Sequence, residues 1–187
     1  MADQFLKDLE ASGVKEPSEK RSLAIKWVEG IFPGVELVTT ETLQQWMETR
    51  PEELLLLDTR TPAEFDVSHL PGALLVPSDA NALLGVFKAW SLQEPGSAPR
   101  DVVCYCTVGY RSSRAAQLLN SFLAQELADR DFGTSSKIYN LRGGLVMWGS
   151  ERRPMVDQQE KPTSVVHPYN SVWAKLLEPE IQAAVDA

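Results

Sequence analysis

The sequence predicts an α/β domain of three layers, in which a central, mostly parallel β-sheet is flanked by helices. Short apolar runs typical of strands alternate along the chain with longer amphipathic segments typical of helices, and this order favours parallel strands. The run "ELLLLDTR" is continuously apolar up to Asp58, as expected for a strand that is buried on both faces of a sheet. The sheet domain is predicted to span residues 36–152.

The first half of the chain is predicted to contain a helical extension followed by alternating strands and helices. Residues 1–35 form the extension, in which "SEKRSLAIKWVEGIF" is partly amphipathic. "VELVTTETLQQWM" predicts a short strand and then a helix capped by Thr39 or Thr40. After the leucine-rich strand, "HLPGALLVP" predicts a turn and a strand, and "NALLGVFKAW" predicts a helix.

The second half continues the same alternation. "DVVCYC" predicts a strand, and "SSRAAQLLNSFLAQELADR" predicts the clearest helix of the chain, with Ser112 or Ser113 as its cap. "SKIYNLRGG" predicts a last strand that ends in a glycine pair. Residues 153–187 are predicted to be a C-terminal extension that packs on the domain.

Composition excludes several classes of protein. The chain has 187 residues and a net charge of −8 without a basic cluster, so no nucleic-acid partner is expected. It lacks a run of about 20 apolar residues, so no membrane partner is expected. The acidic N-terminus shows no signal-peptide pattern, which predicts a cytoplasmic protein. Location in an organelle, after removal of a targeting segment, is the alternative.

The cysteines indicate neither a metal site nor a disulfide. Cys104 and Cys106, supported only by His69 and His167, are too few to form a zinc site, and no metal is predicted. On one strand their Cα atoms would lie roughly 6.5–7 Å apart, at or beyond the limit for a disulfide. Both thiols are therefore expected to be reduced.

The segment "CTVGYR" stands between a predicted strand and a predicted helix, where ligands bind in open α/β sheets. Its backbone N–H groups and the positive end of the helix can hold an anion, Gly109 can adopt conformations closed to other residues, and Arg111 offers a forked donor. These features stabilise a thiolate, so Cys106 is predicted to have a lowered pKa and to act as the catalytic nucleophile. Cys104 lacks such surroundings and is predicted to pack in the core.

The loop resembles the active-site loop of rhodanese-like sulfurtransferases, which commonly reads Cys-x-x-Gly-x-Arg. "LLLLDTRTPAEFDVSHLPGALLVP" resembles the Asp-x-Arg, Glu-Phe and His-x-Pro-Gly-Ala signature of that family, and "IYNLRGGLVMW" resembles its closing strand. The resemblance covers about residues 36–150, in the order of the family. Two connections look longer than is common in the family: the one from Pro77 to Asp101, and "LAQELADRDFGTSSK".

The resemblance implies a sulfurtransferase that works through a persulfide. Cys106 would take a sulfane sulfur from thiosulfate or a related persulfide donor and pass it to cyanide or a thiol. Attack on the outer sulfur of thiosulfate expels sulfite, a weak base, so no general acid is required and no cofactor is expected. The predicted partners are a small anionic sulfur donor and a thiol or cyanide acceptor, and a protein donor or acceptor stays open.

Two groups of residues around Cys106 receive predicted roles. Candidate substrate-binding residues are Thr107, Val108, Gly109, Tyr110 (as a pocket wall), Arg111 and Arg142, of which Arg142 would face the anionic end of the substrate. Candidate supporting residues are Asp58, Arg60, Glu64 and His69. Asp58 and Arg60 are expected to brace the fold through a pair with Glu64, and His69 is expected to organise its turn.

Three alternatives remain at this point. A Cdc25-like phosphatase or an arsenate reductase has a related fold, but its loop holds five residues between Cys and Arg and typically has a His before the Cys. This chain has four residues there, and Tyr105 precedes Cys106. A non-catalytic binding module is the second alternative, although such domains often lose the cysteine. The third is a sulfur carrier whose terminal extensions contact protein partners.

Overall fold

The central sheet has five strands, and every pairing within it is parallel. The computed structural model describes residues 2–76, 79–91, 101–129 and 136–184. The strands lie in the order β1-β5-β4-β2-β3. They are β1 (Glu36–Val38), β2 (Leu54–Asp58), β3 (Leu74–Leu75), β4 (Asp101–Tyr105) and β5 (Ile138–Leu141). The predicted α/β class is therefore confirmed, and β4 is the middle strand.

Seven α-helices accompany the sheet in the described part of the chain. They are α1 (Ala2–Ala11), α2 (Pro17–Ile31), α3 (Thr40–Thr49), α4 (Pro62–Val67), α5 (Ala80–Ser91), α6 (Tyr110–Asp129) and α7 (Gly144–Ser150). Short 3-10 turns cover Pro51–Glu53, Trp173–Leu176 and Pro179–Ile181. None of the described helices has the combination of length and apolarity needed to cross a bilayer.

Each face of the sheet carries its own hydrophobic core, which explains why the strands are apolar without alternation. Along β4, Val103 and Tyr105 belong to one core, whereas Val102 and Cys104 belong to the other. Successive side chains of a strand point to opposite faces, so a strand covered on both faces must be apolar at every position.

The C-terminal segment lies against the sheet domain and against α2. Its strands β6 (Met155–Val156) and β7 (Pro162–Thr163) form an antiparallel pair, and Leu176 and Ile181 are fully buried in the same core as Trp148. The buried Arg21 of α2 donates to the Leu176 carbonyl oxygen over 2.8 Å and contacts Glu178 at 2.9 Å. These contacts hold α2 and the C-terminal segment together.

Of the two predicted helix caps, the one of α3 is confirmed and the one of α6 is wrong. The Thr39 side chain accepts a hydrogen bond from the Thr42 N–H, so Thr39 caps α3 as predicted. The prediction that Ser112 or Ser113 caps α6 is wrong, because the helix already begins at Tyr110. Of the two long connections, residues 77–78, 92–100 and 130–135 lie outside the described residues.

The turn between β5 and α7 anchors the loop that follows β4. Gly143 and Gly144 both have positive φ, at 77° and 55°. This turn brings the Leu145 and Val146 N–H groups within 3.0 Å of the carbonyl oxygens of Cys106 and Thr107, to which they donate. A Cβ atom at Gly144 would lie 2.4 Å from the Cys106 oxygen, so the close approach requires glycine.

We expect Gly144→Ala to destabilise the protein by about 2–4 kcal/mol, because it adds both a backbone clash and an unfavourable φ. The matched control is Gly85→Ala in α5, where a Cβ would have no neighbour within 4 Å. In an exposed helix interior this change stabilises by about 0.5–1 kcal/mol. Urea unfolding measures the change in the free energy of unfolding for each variant. Equal changes in the two variants would contradict the anchoring role of the turn.

Candidate functional site

Cys106 lies at the carboxyl end of the middle strand, in the loop between β4 and α6. The loop residues Cys106, Thr107 and Val108 are 1%, 3% and 5% exposed. Gly109 has a φ of +109°, the conformation for which the sequence predicted a glycine. The thiol is therefore held in a fixed, nearly closed position.

The Cys106 sulfur is surrounded by hydrogen-bond donors. The Gly109 N–H donates to Sγ over 3.2 Å, and the Ser112 hydroxyl lies 3.4 Å from it. The same hydroxyl donates to Asn140 Oδ1 over 2.6 Å. Because a serine hydroxyl carries one hydrogen, the sulfur and the Asn140 oxygen compete for it.

These surroundings favour the thiolate at Cys106 and the thiol at Cys104. Burial opposes ionisation of Cys106, but the Arg111 guanidinium, the Ser112 hydroxyl and the Ser112 and Gly109 N–H groups outweigh it and lower the pKa of the thiol. Burial raises the pKa of Cys104 to about 12, and the nearby charge of Cys106 adds to this. Both cysteines are free, so a reactive thiolate is expected at Cys106 only.

Arg111 is held by Glu64 from the opposite side of the loop. Its two terminal nitrogens donate to the two carboxylate oxygens of Glu64 over 2.8 and 2.7 Å, and Nη2 also donates to the Thr107 hydroxyl over 3.0 Å. Burial would raise the pKa of Glu64, but the hydrogen bonds and charge of Arg111, with help from the Thr61 N–H, lower it to about 2. The pair is therefore ionised at neutral pH.

The expected pairing of Arg60 with Glu64 is wrong. Arg60 instead forms a fully buried pair with Asp58, with Nε 2.9 Å from Oδ1 and Nη2 2.6 Å from Oδ2, and it also donates to the Ser68 carbonyl. The reason lies in α4, where Thr61 and Glu64 form a capping box that fixes the Glu64 carboxylate. From that position the carboxylate reaches Arg111.

His69 lies under the turn before β3 and does not reach Cys106. Its ring stacks on Phe65 with 3.7 Å between centroids, and Nδ1 is 2.9 Å from the Phe65 carbonyl oxygen. Its Nε2 lies 3.4 Å from Glu160 Oε1, and its backbone pairs with Val156. His69 therefore joins the turn to the C-terminal segment.

A pocket of about 190 Å³ opens above Cys106. Its described lining consists of Trp27, Cys106, Thr107, Val108, Tyr110, Arg111, Tyr169 and Trp173. A wider cleft of about 720 Å³ beside α6 also reaches Arg111, but Cys106 is not among its lining residues. The smaller pocket is therefore the candidate reaction site.

Arg142 is not among the described lining residues of this pocket, so the pocket gives no support to its predicted role in substrate binding. Its Nε donates to Glu29 Oε1 of α2 over 2.6 Å. The Arg142 N–H donates to the Val38 carbonyl at the edge of the sheet, and the residue lines a small cleft together with Glu29 and the loop residue Val108. Tyr110, in contrast, does line the pocket, and its ring stacks on Trp27 at 5.4 Å.

Sequence reasoning missed five residues of this site. Asn140 had a readable signal, because it is a polar residue near the carboxyl end of a buried strand that neighbours the cysteine strand. Ser112 was interpreted only as a helix cap. The other three, Trp27, Tyr169 and Trp173, belong to the terminal extensions, and no motif marked them.

We expect Arg111→Gln to raise the pKa of Cys106, because the largest favourable electrostatic contribution to the thiolate is lost. The pH profile of alkylation by iodoacetamide measures this shift, since only the thiolate reacts. Arg114→Gln is the matched control, because Arg114 is an exposed arginine one turn along the same helix. Equal profiles for both variants would show that Arg111 does not set the reactivity of Cys106.

We expect Glu64→Gln to remove about 2–3 kcal/mol of stability at neutral pH, since the folded state lowers the pKa of this carboxyl. A lowered carboxyl pKa stabilises the fold above the unfolded value of about 4.3, and this stabilisation disappears as the pH falls towards about 2. The native chain and the variant should therefore converge in stability at acid pH. A constant difference from pH 7 down to pH 3, in urea unfolding, would contradict this assignment.

The sequence and the fold are similar to those of known proteins. The sequence pattern of the rhodanese-like domain matches residues 39–151. A sulfurtransferase from Allochromatium vinosum is 32% identical over 119 residues, which are 64% of this chain and 92% of that protein. The probable adenylyltransferase/sulfurtransferase MoeZ from Mycobacterium tuberculosis is 30% identical over 118 residues, 63% of this chain. The match spans only 25% of the length of MoeZ.

Two solved structures show the same fold. Thiosulfate sulfurtransferase from Pseudomonas aeruginosa superposes with a TM-score of 0.54 at 22% identity, over 87% of this chain and 27% of that one. Saccharomyces cerevisiae Ygr203w, a homolog of single-domain rhodanese and the Cdc25 phosphatase catalytic domain, superposes with a TM-score of 0.51 at 22% identity. The superposition covers 64% of this chain and 82% of that one. The sequence relatives support sulfur transfer in general, and the match over residues 39–151 shows that this chain belongs to the rhodanese-like domain family.

Proposed function

We propose that this protein is a sulfurtransferase in which Cys106 carries a sulfane sulfur as a persulfide. The proposal rests on the surroundings of the Cys106 thiol at the end of β4. Its sulfur accepts a hydrogen bond from the Gly109 N–H over 3.2 Å, and the pKa of the thiol is lowered. A thiolate in this position is a nucleophile that needs no separate base. The donor is thiosulfate or a related sulfane sulfur compound, and the acceptor is cyanide or a thiol.

The proposed transfer has two steps. The Cys106 thiolate attacks the outer sulfur of thiosulfate, the S–S bond of the donor breaks, and sulfite leaves with the bonding electrons. The product is an anionic persulfide, whose charge the Gly109 N–H and Arg111 stabilise from the positions in which they stabilise the thiolate. The acceptor nucleophile then attacks the outer sulfur and regenerates the Cys106 thiolate.

The loop residues receive different roles in this proposal. The segment Thr107–Arg111 surrounds the transferred sulfur, and Arg111 balances the negative charge of Cys106 while Glu64 holds it in place. Asp58, Arg60 and His69 are proposed to support the fold beneath the loop, because their hydrogen bonds are made away from the pocket.

We also propose the division of the chain into residues 1–35, 36–152 and 153–187. In this division the middle part carries the reacting sulfur, and the outer parts contribute Trp27, Tyr169 and Trp173 to the pocket. A protein donor or acceptor would meet these outer segments first. Their role as partner surfaces is supported by their position at the pocket, and it is compatible with a small-molecule donor.

Incubation of the native chain with thiosulfate should add one sulfur atom, which cyanide then removes. Intact-protein mass spectrometry measures the gain. Cys106→Ser should show no gain, because a serine hydroxyl does not ionise under these conditions and forms no persulfide. Cys104→Ala is the matched control and should load sulfur like the native chain, since the raised pKa of Cys104 keeps it a thiol.

Two other outcomes would contradict the proposal. A gain that survives Cys106→Ser but disappears in Cys104→Ala would move the chemistry to the other cysteine. Absence of any gain from thiosulfate or an organic persulfide, in a protein whose free Cys106 thiol reacts with iodoacetamide in a parallel sample, would exclude persulfide transfer from these donors. Hydrolysis of an aryl phosphate or reduction of arsenate by the same protein would then favour the oxyanion chemistry of related folds.

A further inference from the structure

Three of the four aromatic residues that line the pocket above Cys106 come from segments outside the region that matches the family. Trp27 belongs to α2, and Tyr169 and Trp173 belong to the C-terminal segment, whereas the match covers residues 39–151. The aromatic rings also contact one another: Trp27 stacks on Tyr110 at 5.4 Å and lies 6.3 Å from Trp173. This aromatic wall (Trp27, Tyr110, Tyr169 and Trp173) therefore takes three of its four rings from the extensions of this chain.

The pocket offers little net positive charge to an anion. Among its described lining residues, Arg111 is the one cationic side chain. Its two terminal nitrogens already donate to Glu64, and the thiolate of Cys106 adds a further negative charge. The faces of aromatic rings carry partial negative charge and attract apolar groups and cations rather than anions. A donor with two negative charges, such as thiosulfate, therefore meets unfavourable surroundings here.

The size of the pocket suits a compact organic group. An apolar cavity of roughly 150 Å³ is large enough to bind benzene. The pocket above Cys106 measures about 190 Å³, so one six-membered ring fits between the aromatic wall and the sulfur.

The backbone at Tyr169 provides independent support that this wall is functional. Tyr169 has a φ of +73°, a conformation that is disfavoured for a bulky side chain, yet 51% of the residue is exposed. Its N–H donates to His167 Nδ1 over 3.0 Å, and its ring lies 4.8 Å from the Arg111 guanidinium carbon. Strain of this kind, in a residue that gains little from burial, is typical of functional sites.

We propose that the pocket selects sulfur donors with a compact aromatic or apolar group, in preference to thiosulfate. The proposal rests on the sulfur transfer proposed above and names its substrate class: organic thiosulfonates and organic persulfides of about the size of one ring. The aromatic wall binds the organic group, and the sulfane sulfur points towards Cys106.

Benzenethiosulfonate is a suitable probe, because it has the same reacting group as thiosulfate with a phenyl ring in place of one anionic oxygen. The Cys106 thiolate attacks its outer sulfur, the S–S bond breaks, and benzenesulfinate leaves with the bonding electrons. The product on the protein is the same persulfide as with thiosulfate. The two donors therefore differ in recognition and in leaving group only, and their rates with a small free thiol correct for the leaving group.

We expect the native chain to prefer benzenethiosulfonate by about tenfold or more in kcat/KM, after this correction, because burial of a ring in an apolar pocket is worth at least that factor. Persulfide formation measured by mass spectrometry gives both rate constants. If both donors load Cys106 with the ratio found for the free thiol, the selectivity is overturned while the proposed function stands. If neither donor loads an alkylatable Cys106, the proposed function fails and this inference fails with it.

Tyr169→Gly tests the wall without adding backbone strain, because glycine accepts a φ of +73°, and the lost ring is half exposed. We expect the preference for benzenethiosulfonate to fall by about threefold to tenfold, the contribution of one aromatic contact. Trp46→Leu is the control, since Trp46 packs on Tyr139 away from the pocket. This variant should keep the native preference for benzenethiosulfonate over thiosulfate. An unchanged preference in Tyr169→Gly and in Trp173→Leu would overturn the proposal.

Discussion

The Arg111 guanidinium and the Glu64 carboxylate meet through two hydrogen bonds, and the arrangement around Cys106 depends on this contact. It joins α4 to the start of α6 across the loop. Glu64 is fixed by the capping box of its own helix, so the direction of Arg111 is set by an element that does not touch the sulfur. The pair also limits the positive charge available at the site. Arg111 stabilises the Cys106 thiolate, while Glu64 prevents it from acting as a free anion-binding group.

A second constraint orients the loop from below. The first N–H groups of α7 hold the carbonyl oxygens of Cys106 and Thr107, which turns the Gly109 N–H towards the sulfur. This close approach is possible because Gly144 has no side chain. The glycine pair after β5 and the cysteine loop after β4 are therefore one structural unit, although more than thirty residues separate them in the sequence. Neighbouring parallel strands end at the same edge of the sheet, and this brings the two turns together.

The parts of this structure that local patterns encode could be predicted from the sequence. The apolar run before Asp58 and the alternation of strands and helices predicted the parallel sheet, and the spacing of Cys106, Gly109 and Arg111 predicted a loop that stabilises a thiolate. Contacts between distant segments could not be predicted. Glu64 reaches Arg111 across 47 positions, and Arg142 turns to Glu29 because α2 lies beside it. Trp27, Tyr169 and Trp173 meet only after the extensions fold, and no local spacing indicates this.

The reactivity of the sulfur and access to it are determined by different parts of the chain. Cys106 is 1% exposed, and the groups that lower its pKa come from the loop and the start of α6: Gly109, Arg111 and Ser112. Three of the four aromatic rings above it come from α2 and the C-terminal segment, which the buried Arg21 ties to each other rather than to the loop. Changes in the extensions can therefore alter which donor reaches the sulfur without altering its ionisation. This separation allows specificity to change while the chemistry of the loop stays the same.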